Sequence, residues 1–214
     1  CRHYGRIIDG YGDHDLLIDG LNPCGEITLQ GRDKSGKKQT DNPYSAGGEL
    51  CCVVEVNMAA IESEQDFIRV VKYATFLAKM TCTVRIEWKT TDEIQHKNYR
   101  IGVSQTGIME YLTKNNYDMD AYAKLCDAGY KSVRQKDIEI SKLFGIPESI
   151  KVTTVKPSGT VGKLLGTTSG MHGPWAEFMI MRVRISKDFT HIIDGLSKCG
   201  YHIEDDVMQS ATTS

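Results

Sequence analysis

No uninterrupted apolar run in this 214-residue chain approaches the roughly 18 residues that a membrane-crossing helix needs. Charge of one sign is not in excess either. The formal net charge is -2, so neither nucleic acid nor a membrane surface is expected as a partner. The seven cysteines (Cys1, Cys24, Cys51, Cys52, Cys82, Cys126 and Cys199) contain no Cys-x-x-Cys, which argues against a zinc knuckle. His3, His14, His96, His191 and His202 fall at no metal-ligand spacing, and no metal site is expected. An odd number of irregularly spaced cysteines, in a chain too long to need disulfide staples, predicts reduced thiols and a cytoplasmic setting. There is no secretory signal at the start, no internal repeat and no low-complexity tract. The first residue is Cys1 rather than Met, which suggests a piece of something longer.

What is present reads as an ordinary globular chain. Hydrophobic residues make up 40% and charged residues 25%, a balance that can bury a core. Residues 1–20 are rich in Gly and Asp and read as turns, and residues 30–48 read as an exposed polar excursion. Leu50 to Ala60 is apolar and β-branched, which predicts a buried strand. Ser63 with Asp66 three residues later predicts a helix start of the capping-box type, continued by Phe67, Val71, Ala74 and Ala78 at helical spacing. A short strand is expected over 99–104, a helix from Gly107, and a longer helix over 118–144. The longer one is expected to be interrupted near Gly129 and to stop at Gly145, with Pro147 beyond. Strands are expected at 152–155 and 182–185, and a last helix at 188–198. Alternating strands and helices predict an α/β fold with mostly parallel strands, read as one domain over 1–214.

Three short motifs carry chemistry. Asn22-Pro23-Cys24-Gly25-Glu26 sets an amide, a thiol and a carboxylate two residues apart. In an extended segment alternate side chains share a face, so the three are expected to converge. The plainer reading is a turn with a small core cysteine. Cys51 and Cys52 sit together in the expected strand at 50–60, where neighbours face opposite ways and rarely bond each other. Lys156-Pro157-Ser158-Gly159-Thr160-Val161 joins an expected strand to an expected helix start. There, backbone N–H groups and a helix dipole can hold an anion, although an ordinary strand-to-helix turn has the same spelling.

Asn-x-Cys-x-Glu followed by Ile-x-Leu (22–29) resembles the active-site loop of the ribonucleotide reductases. The stretch 49–61 is similar to that family's strand bearing a reducing cysteine, with Cys51 as the match and Cys52 as an extra core thiol. Lys-Pro-Ser-Gly-Thr resembles the family's substrate-phosphate loop, which places Pro157, Ser158, Gly159, Thr160 and Val161 at the phosphates. Arg100 to Gly107 and Ser169 to Trp175 also resemble family segments. The first is assigned structure, and His172 in the second is read as a turn residue near substrate and cofactor. The spellings at 156–160 and 170–172 are most like the adenosylcobalamin-dependent branch.

The resemblance implies a part of a ten-stranded α/β barrel with Cys24 on an inner loop. It implies a ribonucleotide substrate and adenosylcobalamin as the radical source. Cys24 then abstracts the ribose 3′ hydrogen, Glu26 is the base at the 3′ hydroxyl and Asn22 binds substrate. Cys51 and a partner thiol reduce the sugar and close a disulfide, which an external dithiol reopens. No residue here matches that partner, so an upstream segment or second polypeptide is expected to complete the barrel, and the chain alone is expected to be inactive. Two alternatives remain open: a large-chain piece of an oxygen-dependent two-subunit reductase, and a non-catalytic remnant or interaction module.

Overall fold

The computed structural model describes residues 18–31, 48–180 and 182–206. The Gly- and Asp-rich stretch up to residue 17 and most of the excursion at 32–47 lie outside these residues. The chain divides into two compact units, 1–173 and 174–214.

The first unit carries the architecture. Strands β1 (Ile18–Leu21) and β2 (Thr28–Gln30) form an antiparallel hairpin. Strands β3 (Val53–Asn57) and β4 (Gly102–Thr106) pair in parallel, and Thr153 bridges to Val103 in parallel on the far side of β4. The connection from β3 to β4 runs through helices α1 (Glu64–Cys82) and α2 (Lys89–Asn98). After β4 come α3 (Ile108–Lys114), α4 (Met119–Phe144) and the one-turn α5 (Val161–Leu164). The α/β class expected from the sequence is therefore observed, though the hairpin is antiparallel. Among the described residues no helix is long and apolar enough to cross a membrane.

The two faces of the parallel sheet differ in character, and this places the site. Cys52, Val56 and Val103 are buried on one face against Phe67, Val71, Ala74 and Ala78 of α1 and Val133 of α4. The opposite face carries Val53, Glu55 and Asn57 on β3, in register with Gly102, Ser104 and Thr106 on β4. A strand with one apolar and one polar face needs a second structure or a ligand over the polar side.

Helix boundaries follow local chemistry. Ser63 accepts a hydrogen bond from the Asp66 N–H at 3.1 Å, as its spacing predicted. The Asp66 carboxylate turns back to the Glu62 N–H rather than to Ser63. Asp118 caps α4 through the Ala121 N–H at 2.9 Å, and Gly145 ends it in the left-handed region, φ +64. The expected break near Gly129 is absent. A side chain there would sit 2.5 Å from the Phe67 ring, so this glycine allows close packing of α4 on α1.

Other expectations need correction. The strand predicted over 50–60 is only five residues long, because the Asn57 side chain accepts from the Ala59 N–H and starts a 3-10 turn at Met58–Ala60. Residues 152–155 contribute one bridge rather than a full strand. In the second unit no strand forms over 182–185. Arg182 and Arg184 instead pair with Glu204 and Asp206, and Thr190–Lys198 forms helix α6. Cys199, just past α6, is exposed.

Two buried ion pairs hold the frame. Lys79 on α1 meets Asp137 on α4 at 2.8 Å and also donates to Ser149 and the Pro147 carbonyl. Burial pushes the Lys79 ammonium below its ordinary range, against the pull of Asp137. Arg100 meets Glu49 at 2.9 Å, and Glu49 also accepts from the Gln30 N–H. That second pair ties the end of β2 to the start of β3, which sets the hairpin against the polar face of the sheet.

Candidate active site

The β1–β2 connection turns rather than extends. The Gly25 N–H donates to the Asn22 carbonyl at 2.9 Å, and Gly25 has φ +80, a conformation that favours glycine. Asn22 closes the turn: its Oδ1 accepts from the Ile27 N–H at 3.0 Å, and its backbone N–H donates to the Ile27 carbonyl. The strand alternation expected for residues 22–26 is thus replaced by a tight turn, and the three side chains take different surroundings. Asn22 is buried and reaches Cys51, with Nδ2 to Sγ 3.3 Å. Cys24 is exposed. The Glu26 carboxylate is 2% exposed and its Oε2 has no hydrogen-bond partner.

Lys156 joins the turn to the sheet. Its ammonium donates to the Cys24 sulfur at 3.2 Å and to Glu26 Oε1 at 3.3 Å. Burial alone pushes this ammonium down, but the hydrogen bonds and charges of Cys24 and Glu26 outweigh it and raise it above the ordinary lysine range. Its backbone N–H donates to Ser104 Oγ on β4, and Thr154 Oγ1 donates to the Glu26 carbonyl at 2.7 Å. Gly170 backs this segment so closely that a side chain there would run into the Lys156 carbonyl.

Cys51 and Cys52 face opposite ways, as adjacent strand-edge residues do. Cys51 opens toward Asn22, and burial and the Glu26 charge push its thiol up. Cys52 is buried in the core, within hydrogen-bond reach of Gln95. Glu55 is two strand pairs along from Cys51 on the polar face. Both its carboxylate oxygens are buried without a hydrogen-bond partner, and burial pushes it above the usual carboxylate range while the Lys156 charge opposes the shift.

The 157–161 loop follows directly. Ser158 is buried at φ +46, and its hydroxyl and carbonyl turn inward to the Lys156 carbonyl and the Gly162 N–H. Gly159, Thr160 and Val161 donate no backbone hydrogen bond among the described residues. The helix that follows spans only Val161–Leu164, so the expected dipole contribution is small. What the loop offers an anion is open N–H groups.

Cys24, Gly25, Glu26, Val155, Lys156, Pro157, Met171 and His172 line a cleft of about 170 Å³. A larger cavity of about 660 Å³ lies among Phe67, Val71, Met109, Tyr122 and Val133 on the apolar side, and none of the candidate residues lines it. The thiol, carboxylate and ammonium meet at the smaller one. In the sequence Lys156 stands only as the first residue of the phosphate-loop motif, and Glu55 has no assigned role. Lys156 opens the phosphate-loop motif and Glu55 is a lone charge in a β-branched run, so both were visible, but only the tertiary contacts give them a place.

No family model matches the chain. Among curated proteins, the adenosylcobalamin-dependent ribonucleoside-triphosphate reductase of Lactobacillus leichmannii is 35% identical over 237 aligned residues, covering 99% of this chain and 30% of that protein. A probable adenosylcobalamin-dependent ribonucleoside-triphosphate reductase of Dictyostelium discoideum is 35% identical over 94% of this chain and 24% of its own length. The chain therefore spans under a third of the relatives it matches. A crystal structure of a B12-dependent (class II) ribonucleotide reductase superposes with a TM-score of 0.70 at 32% identity, over 94% of this chain and 29% of the other. The class Id reductase alpha subunit of Actinobacillus ureae shares the fold at 14% identity with a TM-score of 0.55, over 90% of this chain and 37% of that one. With a thiol, a carboxylate and an amide on one turn, and with relatives aligned along nearly its entire length, the chain is a homologue of one segment of the adenosylcobalamin-dependent ribonucleotide reductases.

Proposed function

We propose that this chain carries the reducing centre of a ribonucleotide reductase that replaces the ribose 2′ hydroxyl with hydrogen by thiyl-radical chemistry. The observation that supports it most directly is the meeting of Cys24, Glu26 and Lys156 at one cleft, with Asn22 linking the same turn to Cys51. In this reading the Cys24 radical removes the 3′ hydrogen. Glu26 takes the 3′ hydroxyl proton through its unpartnered Oε2. The 2′ hydroxyl leaves as water with a proton from the reducing thiol pair, and that pair also supplies the hydrogen that replaces it at C2′. Cys24 returns the hydrogen to C3′ and regains its radical. Two electrons come from Cys51 and a partner thiol, whose sulfurs join as a disulfide, and an external dithiol restores them. The open N–H groups of Gly159, Thr160 and Val161, beside Pro157 and Ser158, suit the substrate phosphates.

The cofactor in this reading is adenosylcobalamin. The residues present fit a group that approaches the exposed sulfur of Cys24. Cys24 is exposed at the cleft, and among the described residues no cluster of three or more His, Cys, Asp or Glu side chains could hold a metal. When bound, the cofactor supplies the one-electron step that takes the hydrogen atom from the Cys24 thiol. The chain's own part is to place that sulfur beside a base and keep the base away from water.

The cleft is smaller than the roughly 300 Å³ at which small-molecule sites begin. It holds a sugar edge rather than a nucleotide, so the reading includes a further segment or chain that closes a ten-stranded α/β barrel around it. On that account the isolated chain is inactive. The test is Cys24→Ser in the whole protein supplied with adenosylcobalamin, a dithiol and a ribonucleoside triphosphate. Turnover is expected to vanish while nucleotide binding persists; turnover that survives overturns the reading. A large chain of an oxygen-dependent enzyme would instead turn over without adenosylcobalamin.

A further inference from the structure

The Lys156 ammonium sits where the substrate has to go. It touches the sulfur expected to abstract the hydrogen and the carboxylate expected to take the proton, at 3.2 and 3.3 Å. A ribose edge that reaches both atoms competes with Nζ for the same space. Moving a lysine away from a nearly buried carboxylate is costly unless another counter-charge receives it.

One group is placed to do so. Glu55 has two buried carboxylate oxygens with no hydrogen-bond partner, an arrangement that costs free energy and calls for an explanation. It lies directly across from Ser104 in the β3–β4 register, and Ser104 Oγ accepts the Lys156 backbone N–H. The register through Val103 and Thr153 puts Lys156 on the same face of the sheet as Glu55. The lysine side chain is long, and its charge already acts on Glu55 from where it stands.

Building on the reductase reading, we propose that Lys156 is a displaceable positioning residue. Without substrate its ammonium holds Cys24 and Glu26 together, and on entry of the ribose it passes to Glu55. The exchange keeps the ammonium paired throughout and clears the space beside Cys24 and Glu26 Oε1, so that the ribose can reach the open Oε2. It also gives the lone carboxylate on β3 a purpose that packing alone does not supply.

The proposal is tested in the whole protein by structure and by kinetics. A structure with a ribonucleoside triphosphate bound should show Nζ within hydrogen-bond reach of Glu55 and withdrawn from Cys24; an ammonium still between Cys24 and Glu26 overturns the proposal. Glu55→Gln should raise the KM for the nucleotide by about tenfold, with a smaller change in kcat. In a Lys156→Met background the same substitution should add nothing, because the two act as a pair; an equal effect in both backgrounds overturns it. Lys156→Arg keeps the charge and should recover part of what Lys156→Met loses, which filling space alone would not do. Cys24→Ala run alongside separates the two ideas. If it keeps turnover, the reductase reading fails. If it abolishes turnover while Glu55→Gln leaves KM unchanged, the Lys156 inference alone fails.

Discussion

Asn22 donates to the sulfur of Cys51 at 3.3 Å across a sequence separation of 29 residues, while its Oδ1 closes the turn that presents Cys24. One buried amide thus sets the spacing of two thiols. Asn22→Ala leaves the Ile27 N–H without its partner, and the fold should lose about 1–3 kcal/mol. Thermal unfolding reads the loss. Asn22→Asp, which keeps an acceptor for Ile27 but removes the donor to Cys51, should be milder.

The two adjacent cysteines should separate under alkylation. Cys51 is at the surface of the site, with burial and the Glu26 charge holding its thiol above the ordinary cysteine range. Its reaction with iodoacetamide, followed by peptide mass analysis, should therefore rise with pH at a higher midpoint than a free thiol shows. Cys52 should stay unmodified in the folded protein because it is buried against Gln95. Equal labelling of the two would contradict their opposite orientation.

Glu55 gives the fold a pH dependence of definite sign. Its carboxyl is raised above 4.5, chiefly by burial. Between 4.5 and the raised value the folded protein holds a proton that the unfolded chain has released, so stability falls as pH rises through that window. The cost is then carried at neutral pH. Glu55→Gln should remove this slope and leave the protein more stable at pH 7. Denaturant midpoints at several pH values, compared between the two proteins, decide it.

Gly170 should tolerate no side chain. It has φ +56, and a Cβ would meet the Lys156 carbonyl. Gly170→Ala combines an unfavourable backbone conformation with a collision, at a cost of roughly 1–3 kcal/mol. Because the colliding atom belongs to Lys156, turnover in the whole protein should drop more than the same substitution at Gly195 causes, where a Cβ meets nothing.

The buried Lys79–Asp137 pair should behave as a frame rather than a site. Lys79→Met strands Asp137 in a place with no solvent contact, which costs about 3–5 kcal/mol. Replacing both residues by apolar ones of similar size should recover much of that loss. Unfolding of the single and double variants measures the difference.

The sequence by itself determined the local grammar. Ser63, Asp118 and Gly145 marked helix ends because caps and left-handed turns depend on the residues present, not on distant partners. The spelling of 22–29 and 156–160 pointed to the reductases, and relatives align along nearly the whole chain. The tertiary structure decided what spacing could not. It turned residues 22–26 back on themselves where alternation predicted an extended run, because Gly25 and the Asn22 side chain favour a turn. It kept α4 whole at Gly129, because Phe67 needed the room. It brought Lys156 to Cys24 across 132 residues and left Glu55 buried beside that pair's sheet. Such contacts depend on which strand faces which, and a parallel register joins residues that no local pattern in the chain connects.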